Sequence, residues 1–315
     1  MSNKTIAKFL GFVILTALSL LGKGCTKANS GLSAGPQEAR NGIPQIVGRI
    51  KSADIIESSG IAASRCQTDV FWTHNDSGGG AFVYAINRSG DNLGKWLITN
   101  VESRDWEDIA TGKDNSGKCF IYIGDIGDNK LLWPEHSILR VAEPVINGGD
   151  PKSSKTDTTG TLEAQAIRFI YPDINHDAEA LMVHPRSAEI FLMTKNESRP
   201  TAVYRISGNF DAAERQTAVK IAEVSLPSVP NGLVTGADIS PDGRSVIVCD
   251  YKQAYEFVLP DLSTDFAEVW KQKPDIIDVG RRKTGEAICY SIDGIEIFAT
   301  SEGRNPPIIS VRRSK

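Results

Sequence analysis

Acidic residues recur at one point of a repeated sequence pattern, directly before a short apolar segment. Convergent carboxylates cannot all remain ionised without a counter-charge. A hard cation held by about six to eight oxygens supplies it, which makes calcium the natural candidate. In an alternative interpretation, such carboxylates bind loop amides or tie neighbouring repeats together. The candidate metal ligands are Glu57, Glu107, Asp108, Glu179, Asp238 and Glu286.

A second group of polar residues follows the next apolar segment of each repeat. Two of these stretches are rich in glycine, Asp76-Ser77-Gly78-Gly79-Gly80 and Gly124-Asp125-Ile126-Gly127-Asp128-Asn129. Glycine lets a backbone approach a ligand closely, while acids and amides supply oxygens. A tight turn that needs positive φ would explain the glycines equally well. The candidate ligand-binding residues are His74, Asn75, Asp76, Asp125, Asp128, Asn129, Lys195 and Asp250.

Five repeats of one four-stranded unit must position these residues. The first strand of each unit is short and apolar, and a second strand rich in β-branched and aromatic residues follows about ten residues later. The first strands contain Ser59-Gly60-Ile61-Ala62, Glu107-Asp108-Ile109-Ala110, Glu179-Ala180-Leu181-Met182, Ala237-Asp238-Ile239-Ser240 and Glu286-Ala287-Ile288-Cys289. Repeats of this length predict an all-β fold, a β-propeller with five four-stranded blades. Six blades are the alternative, because the interval 108–180 is long enough to contain another.

The fourth strands of the first four units are predicted at residues 96–100, 166–171, 219–224 and 268–271. The fifth unit has none after its third strand, but residues 45–50 can supply it. A last blade built from both ends of the chain closes the ring, because the N-terminal strand pairs with the free edge of the fifth unit. Because successive strands alternate in direction, both sets of polar residues should emerge on one face. The sequence therefore predicts an acidic ring at the mouth of the central channel.

The N-terminus has the pattern of an export signal. Lys4 and Lys8 precede an apolar run over residues 9–22, which is short for a membrane span and typical of a signal peptide. We expect residues 1–24 to be a signal peptide, 25–44 a tether and 45–315 the propeller domain.

Cys25 follows this apolar run, as in a bacterial lipoprotein cleavage site. Gly22 and Lys23 depart from the usual residues at such a site. We predict that Cys25 carries lipid and that the protein is exported and faces the periplasm or the cell surface, held to the membrane through the anchor only. Secretion without lipid is the alternative.

Charge and composition favour some partners over others. The chain has 35 basic and 39 acidic residues and a formal net charge of −4. No basic stripe with interleaved aromatics is present, which argues against nucleic acid. We expect a monomer that binds a small molecule or a cell-envelope fragment.

The remaining four cysteines test the order of the strands. Disulfides persist in exported proteins. Cys66 and Cys119 lie in the first-to-second-strand loops of adjacent units, on the face opposite the acids, and we predict a disulfide between them. Cys249 and Cys289 fall inside strands, where a buried free thiol is the usual outcome.

The motifs Asp177-Ala178-Glu179-Ala180-Leu181, Trp106-Glu107-Asp108-Ile109-Ala110 and Gly285-Glu286-Ala287-Ile288 resemble those of exported propellers related to β-propeller phytases and calcium-dependent lactonase-type propellers. The resemblance covers nearly the whole mature chain as architecture and only loosely as motif. It implies calcium at the channel mouth and hydrolysis of a phosphate ester or lactone. Those families are typically six-bladed, and the basic cluster that clamps phosphate in a phytase is thin here.

Three functions therefore remain open. One is a binding module that holds its ligand at the calcium site. Another is a metal-dependent hydrolase, in which Glu107, Glu179 or Glu286 acts as general base and His74 carries a proton. The third is a structural lipoprotein of the cell envelope.

Overall fold

The computed structural model describes residues 42–314, except 77, 115, 147–158, 198 and 229–231. The predicted signal peptide, Cys25 and nearly all of the tether lie outside the described residues. Within the described part of the chain, no helix has the length and apolar character needed to span a membrane.

The regular secondary structure of the described residues is almost entirely β-strand. The first half of the chain contains β1 (Gln45–Arg49), β2 (Ser58–Ala63), β3 (Phe71–Asn75), β4 (Phe82–Ile86), β5 (Asn92–Ile98), β6 (Trp106–Lys113), β7 (Cys119–Asp125), β8 (His136–Ala142), β9 (Gly160–Leu162) and β10 (Gln165–Ile170). The second half contains β11 (Ala178–Val183), β12 (Ile190–Thr194), β13 (Thr201–Ile206), β14 (Gln216–Thr217), β15 (Val219–Val224), β16 (Gly236–Ile239), β17 (Ser245–Cys249), β18 (Ala254–Val258), β19 (Asp275–Ile277), β20 (Gly285–Tyr290), β21 (Glu296–Ser301) and β22 (Pro307–Arg312).

These strands form five sheets arranged as the blades of a propeller. The antiparallel cores of the blades are β2-β3-β4-β5, β6-β7-β8-β10, β11-β12-β13-β15, β16-β17-β18-β19 and β20-β21-β22-β1. The first strands β2, β6, β11, β16 and β20 contact one another in a closed ring around the central channel. The prediction of five blades is confirmed, and the six-blade alternative is wrong for the described residues.

Three blades gain a strand from another part of the chain at their edge, and one of these additions was predicted. β1 pairs antiparallel with β22, so the last blade combines the two ends of the domain, as predicted. Two short strands extend other blades in parallel: β9 lies beside β5, and β14 lies beside β10. Each covers an edge that would otherwise expose unpaired backbone groups.

The predicted fourth strand of the fourth blade is wrong. Residues Phe266–Lys271 form a 3₁₀ helix, which begins where the Asp265 side chain accepts a hydrogen bond from the amide of Ala267. The helix buries the adjacent side chains of Val269 and Trp270. The true fourth strand is β19, which pairs with β18.

Apolar layers between neighbouring blades form the core. The second strands lie between two other blades, so every residue of β12 and β17 is buried. Trp72 and Trp106 are fully buried between the first and second blades. Burial of such side chains contributes roughly 1.5–3 kcal/mol each, and it fixes the first strands around the channel.

A disulfide joins Cys66 to Cys119, with 6.3 Å between their Cα atoms. It links the first and second blades, which is the pairing expected from the order of the strands. Cys249 and Cys289 are free and buried, as expected.

Candidate functional site

Three glutamates occupy the same position in three blades. The register of the first and second strands shifts between Trp106 and Asp108, between Ala178 and Ala180, and between Gly285 and Ala287. Glu107, Glu179 and Glu286 are therefore the extra residues of three β-bulges. A bulge bends the strand and redirects its side chain, and bulges are common beside functional sites.

Five carboxylates converge at the channel mouth beside these bulges. Asp76, Asp105 and Glu107 form one group, and Glu107, Asp177 and Glu179 form another. Within each group, one carboxylate oxygen of every residue lies within 4.8 Å of the others. Glu107 belongs to both groups and joins them. We call these five residues the acidic cluster.

The backbone of the β7–β8 loop packs directly against the acidic cluster at Gly127. A β-carbon at Gly127 would lie 2.1 Å from Oε1 of Glu107 and 2.6 Å from Oδ2 of Asp105. The amide of Gly127 also donates to the carbonyl oxygen of Asp105. Glycine is required here for the close approach of the loop, rather than for a tight turn.

Burial and mutual repulsion raise the pKa values of the cluster. Burial, together with the charges of Asp76 and Asp177, raises the pKa of Asp105 to about 6. Glu107 is 4% exposed, and its pKa is raised well above the usual value by burial and then by Glu179. Burial also raises the pKa of Asp177. Carboxyl groups with raised pKa values retain protons, and a cation bound at the acidic cluster would displace those protons.

Lys195 supplies a positive charge at the edge of the cluster. Its ammonium donates to Oε1 of Glu179 at 2.8 Å and lies 5.4 Å from the ring centre of Tyr251. Burial raises the pKa of Glu179 to about 7, although the charge of Lys195 opposes that rise. One lysine cannot balance five carboxylates.

Glu286 lies outside both groups but close to them. It is 6% exposed, and its Oε2 is buried without a hydrogen-bond partner among the described residues. Burial, together with the charge of Glu179, raises its pKa to about 9. An unpaired buried oxygen beside the cluster points to a partner that protein groups do not provide.

Asp108 was predicted as a metal ligand, but it is a structural residue. Its oxygens accept hydrogen bonds from the amides of Ile109, Leu181 and Ala237, at 2.8, 2.9 and 3.3 Å. These amides belong to the second, third and fourth blades. Asp108 therefore ties three blades together across the channel.

Asp238 has the same role at the other side of the ring. Strand β16 pairs with β17 in regular register and has no bulge, and Asp238 aligns with Asp108 rather than with Glu107. It accepts from the amides of Ile239 and Tyr290. Arg65 of the first blade donates to both of its oxygens, at 3.1 and 3.0 Å. Asp238, predicted as a metal ligand, therefore lies outside both groups of the acidic cluster, and its oxygens bind protein donors.

The other residues predicted to bind metal or ligand lie in different surroundings. Asp76 belongs to the cluster and Lys195 borders it, whereas Glu57 is exposed and in neither group. Asn129 is exposed and lines an adjoining cavity. The side chains of the remaining four residues accept hydrogen bonds from backbone amides of loops. Asn75 accepts from Ile56 and Glu57, and Asp125 accepts from Asp105. Asp128 accepts from Leu132 and Trp133, and Asp250 accepts from Lys252 and Gln253.

His74 is fully buried and does not face the channel mouth as a base. Its Nδ1 pairs with the carbonyl oxygen of Asn75 at 2.9 Å, and its ring lies against Trp106. Burial lowers the pKa of His74 to about 4. The ring is therefore neutral, which favours the interpretation of a buried structural histidine.

Asp105 and Asp177 belong to the cluster, although the sequence prediction did not select them as ligands. Each stands two residues before a bulge glutamate, in Asp105-Trp106-Glu107 and Asp177-Ala178-Glu179. Residues two apart in an extended chain point to the same side. This repeated Asp-x-Glu spacing is the signal that identifies them.

No family model matches the chain, and no curated protein matches it. Among solved structures, the chain is similar to a luciferin-regenerating enzyme, with 8% identity and a TM-score of 0.43 over 86% of this chain and 95% of the other. It is also similar to a gluconolactonase from Xanthomonas campestris, with 11% identity and a TM-score of 0.43 over 89% of this chain and 98% of the other. These similarities do not bear on activity, and the strand pairing itself establishes the propeller.

Proposed function

We propose that this protein binds a divalent cation, calcium, in the acidic cluster and holds an oxygen-rich ligand at that cation. The observation that carries the proposal is the convergence of Asp76, Asp105, Glu107, Asp177 and Glu179 in two groups that share Glu107. Carboxylate oxygens in this number suit a hard cation that accepts many oxygen ligands.

The surroundings of the cluster fit calcium in two further ways. Gly127 leaves no space for a side chain against Glu107 and Asp105, so the loop holds both carboxylates in place. Oε2 of Glu286 is buried and unpaired beside the cluster. Buried carboxylates that converge without a counter-charge repel one another, which raises their pKa values, and a bound cation removes that cause.

Lys195 indicates which ligands the site would accept. A carboxylate or phosphate oxygen could reach both the cation and the ammonium group, which makes charge-assisted hydrogen bonds to anions. We therefore propose an anionic small molecule or cell-envelope fragment as the ligand.

The proposed setting of this activity is outside the cytoplasm. We propose that residues 1–24 are removed and that Cys25 carries lipid, on the basis of the charged start, the short apolar run and the Gly-Cys junction. The Cys66–Cys119 disulfide fits an oxidising compartment. Intact-mass analysis of the membrane fraction tests the processing, and a soluble form cleaved beyond Cys25 would rule out the anchor.

Hydrolysis of a lactone or phosphate ester is the second candidate function. The observation that favours it is Glu286, a buried carboxyl outside both groups, and burial raises its pKa to about 9 in the metal-free protein. Such a group can donate a proton to a leaving oxygen. Calcium, when bound, would polarise the carbonyl or phosphoryl oxygen. A screen of both substrate classes with Glu286→Gln as the comparison distinguishes hydrolysis from binding alone.

Thermal unfolding with and without calcium tests the proposed function. A cation that binds only the folded protein raises the melting temperature in a concentration-dependent manner. We expect such a rise for chelator-treated protein, and a much smaller one for Glu107→Gln. No rise with calcium, magnesium or manganese would contradict the proposal.

A further inference from the structure

Three consecutive apolar side chains are exposed on the face of the acidic cluster. Leu131, Leu132 and Trp133 follow Asp128 in the β7–β8 loop and are 46%, 67% and 42% exposed. We call these three residues the apolar finger. Contiguous exposed apolar residues in a soluble domain commonly mark a binding surface.

The finger is held rigidly. The carboxylate of Asp128 accepts from the amides of Leu132 and Trp133, at 2.7 and 2.8 Å. The guanidinium of Arg104 lies 4.8 Å from the ring centre of Trp133. The exposed side chains are therefore presented by a fixed backbone.

Leu131 adopts a backbone conformation that bulky residues rarely take. Its φ is +54°, in the left-handed region that usually holds glycine or asparagine. Asn175 donates to its carbonyl oxygen at 3.2 Å. Strain of this kind persists where the surrounding structure enforces it, and it is frequent at ligand sites.

The finger and the acidic cluster form one connected surface. The amide of Asp128, at the base of the finger, donates to Oδ1 of Asp177 at 2.7 Å. A cavity of about 240 Å³ has Leu131, Asp177 and Lys195 in its lining. A ligand at the cluster can therefore extend from Asp177 and Lys195 to Leu131, the residue of the finger that lines this cavity.

We propose that the ligand of this site is a soluble anionic amphiphile, with an oxygen-rich head at the cation and an apolar tail on Leu131, Leu132 and Trp133. This inference rests on the proposed function and specifies its ligand class. Continuity between the finger and the cluster favours it over a membrane surface, which would meet the negative charge of the cluster as well.

A series of carboxylates of increasing chain length tests the inference. Binding of acetate, butyrate, hexanoate and octanoate to the calcium-loaded protein is measured by calorimetry. Each methylene that leaves water strengthens binding up to about fourfold, and about twofold when it is half buried. We expect a gain of about two- to fourfold per methylene, and a smaller gain in the variant Leu132→Ser/Trp133→Ser, which keeps Leu131, with acetate affinity unchanged. Leu262→Ser is the matched control, because Leu262 is 97% exposed in the loop after β18.

The outcomes separate the two proposals. If calcium and acetate bind but affinity does not rise with chain length, the amphiphile inference is wrong and the proposed function stands. If neither binds, both are wrong. Calcium-independent binding to phosphatidylglycerol vesicles that the double variant removes, with no chain-length effect, would identify the finger as a membrane contact instead. Self-association that the double variant removes, again without that effect, would identify a contact between two copies.

Discussion

Gly127 and Glu107 are so close that a β-carbon on the glycine would lie 2.1 Å from Oε1 of the glutamate. The β7–β8 loop and the bulge of β6 therefore hold the carboxylate from two sides. The position of Glu107, which joins the two groups of the acidic cluster, depends on the absence of a side chain at residue 127.

Replacement of Gly127 by alanine should weaken calcium binding. The added methyl group must displace Glu107 or Asp105, and overpacking of this kind costs about 1–3 kcal/mol, or roughly a 5- to 150-fold loss of affinity if it falls on the bound state. Calorimetric titration measures the change. Gly117→Ala is the control for a strained glycine replacement away from the site, because its φ is +83° and a β-carbon there meets no atom within 4 Å. Equal affinities for the Gly127→Ala variant and the wild type would show that the loop does not shape the site.

The stability of the calcium-free protein should fall as the pH rises from 5 to 9. Burial raises the pKa values of Glu179 and Glu286 to about 7 and about 9, from a usual value of 4.5. The folded protein therefore holds protons that the unfolded chain has released. Their stabilising effect is complete below pH 4.5 and is lost as the pH rises through 7 and 9. Melting temperatures in chelator measure it, and a constant or rising value over this range would contradict the assignment.

Calcium should reverse this loss, because the cation competes with protons for the same oxygens. The rise in melting temperature that saturating calcium produces should therefore be larger at pH 8 than at pH 5.5. A rise independent of pH would mean that the cation binds elsewhere.

Asp108→Asn should destabilise the fold and leave calcium affinity unchanged. The carboxyl group accepts from amides of three blades, and a buried amide that loses its acceptor costs about 1–3 kcal/mol. Since asparagine keeps one acceptor oxygen, we expect a loss of about 2–3 kcal/mol in urea unfolding. Asp261→Asn, at an exposed position, is the control. A fall in calcium affinity above tenfold would return Asp108 to the metal site.

Arg65→Met should destabilise the fold more than Asp108→Asn. Arg65 and Asp238 form a buried ion pair between the first and fourth blades, with side chains 10% and 8% exposed. Removal of one partner leaves an unpaired buried charge, at a cost of about 3–5 kcal/mol. The double variant Arg65→Met/Asp238→Asn should recover part of the loss. No recovery would indicate that Arg65 acts through packing alone.

The blades could be predicted from sequence because each repeats the same strand pattern, but single strands could not always be placed. Val269 and Trp270 look like part of a strand, yet the side chain of Asp265 starts a 3₁₀ helix there. The side chain of Asp265 thus favours a 3₁₀ helix at a place where the apolar residues alone suggest a strand.

The acidic cluster could be predicted in part. The face was predicted from strand direction, and Asp76, Glu107 and Glu179 do converge there. Asp238 lies outside both groups because a shift of one residue decides between the bulge position and the next, and composition does not reveal bulges. Asp105 and Asp177 could have been selected from the Asp-x-Glu spacing.

Direct titration of calcium into chelator-treated protein, with elemental analysis of the protein as purified, tests the central claim. We predict about one strongly bound calcium per chain, binding abolished by Glu107→Gln, and binding unchanged by Glu57→Gln, whose carboxylate is exposed and in neither group. No bound metal in either experiment, or full binding by the Glu107→Gln protein, would contradict the account.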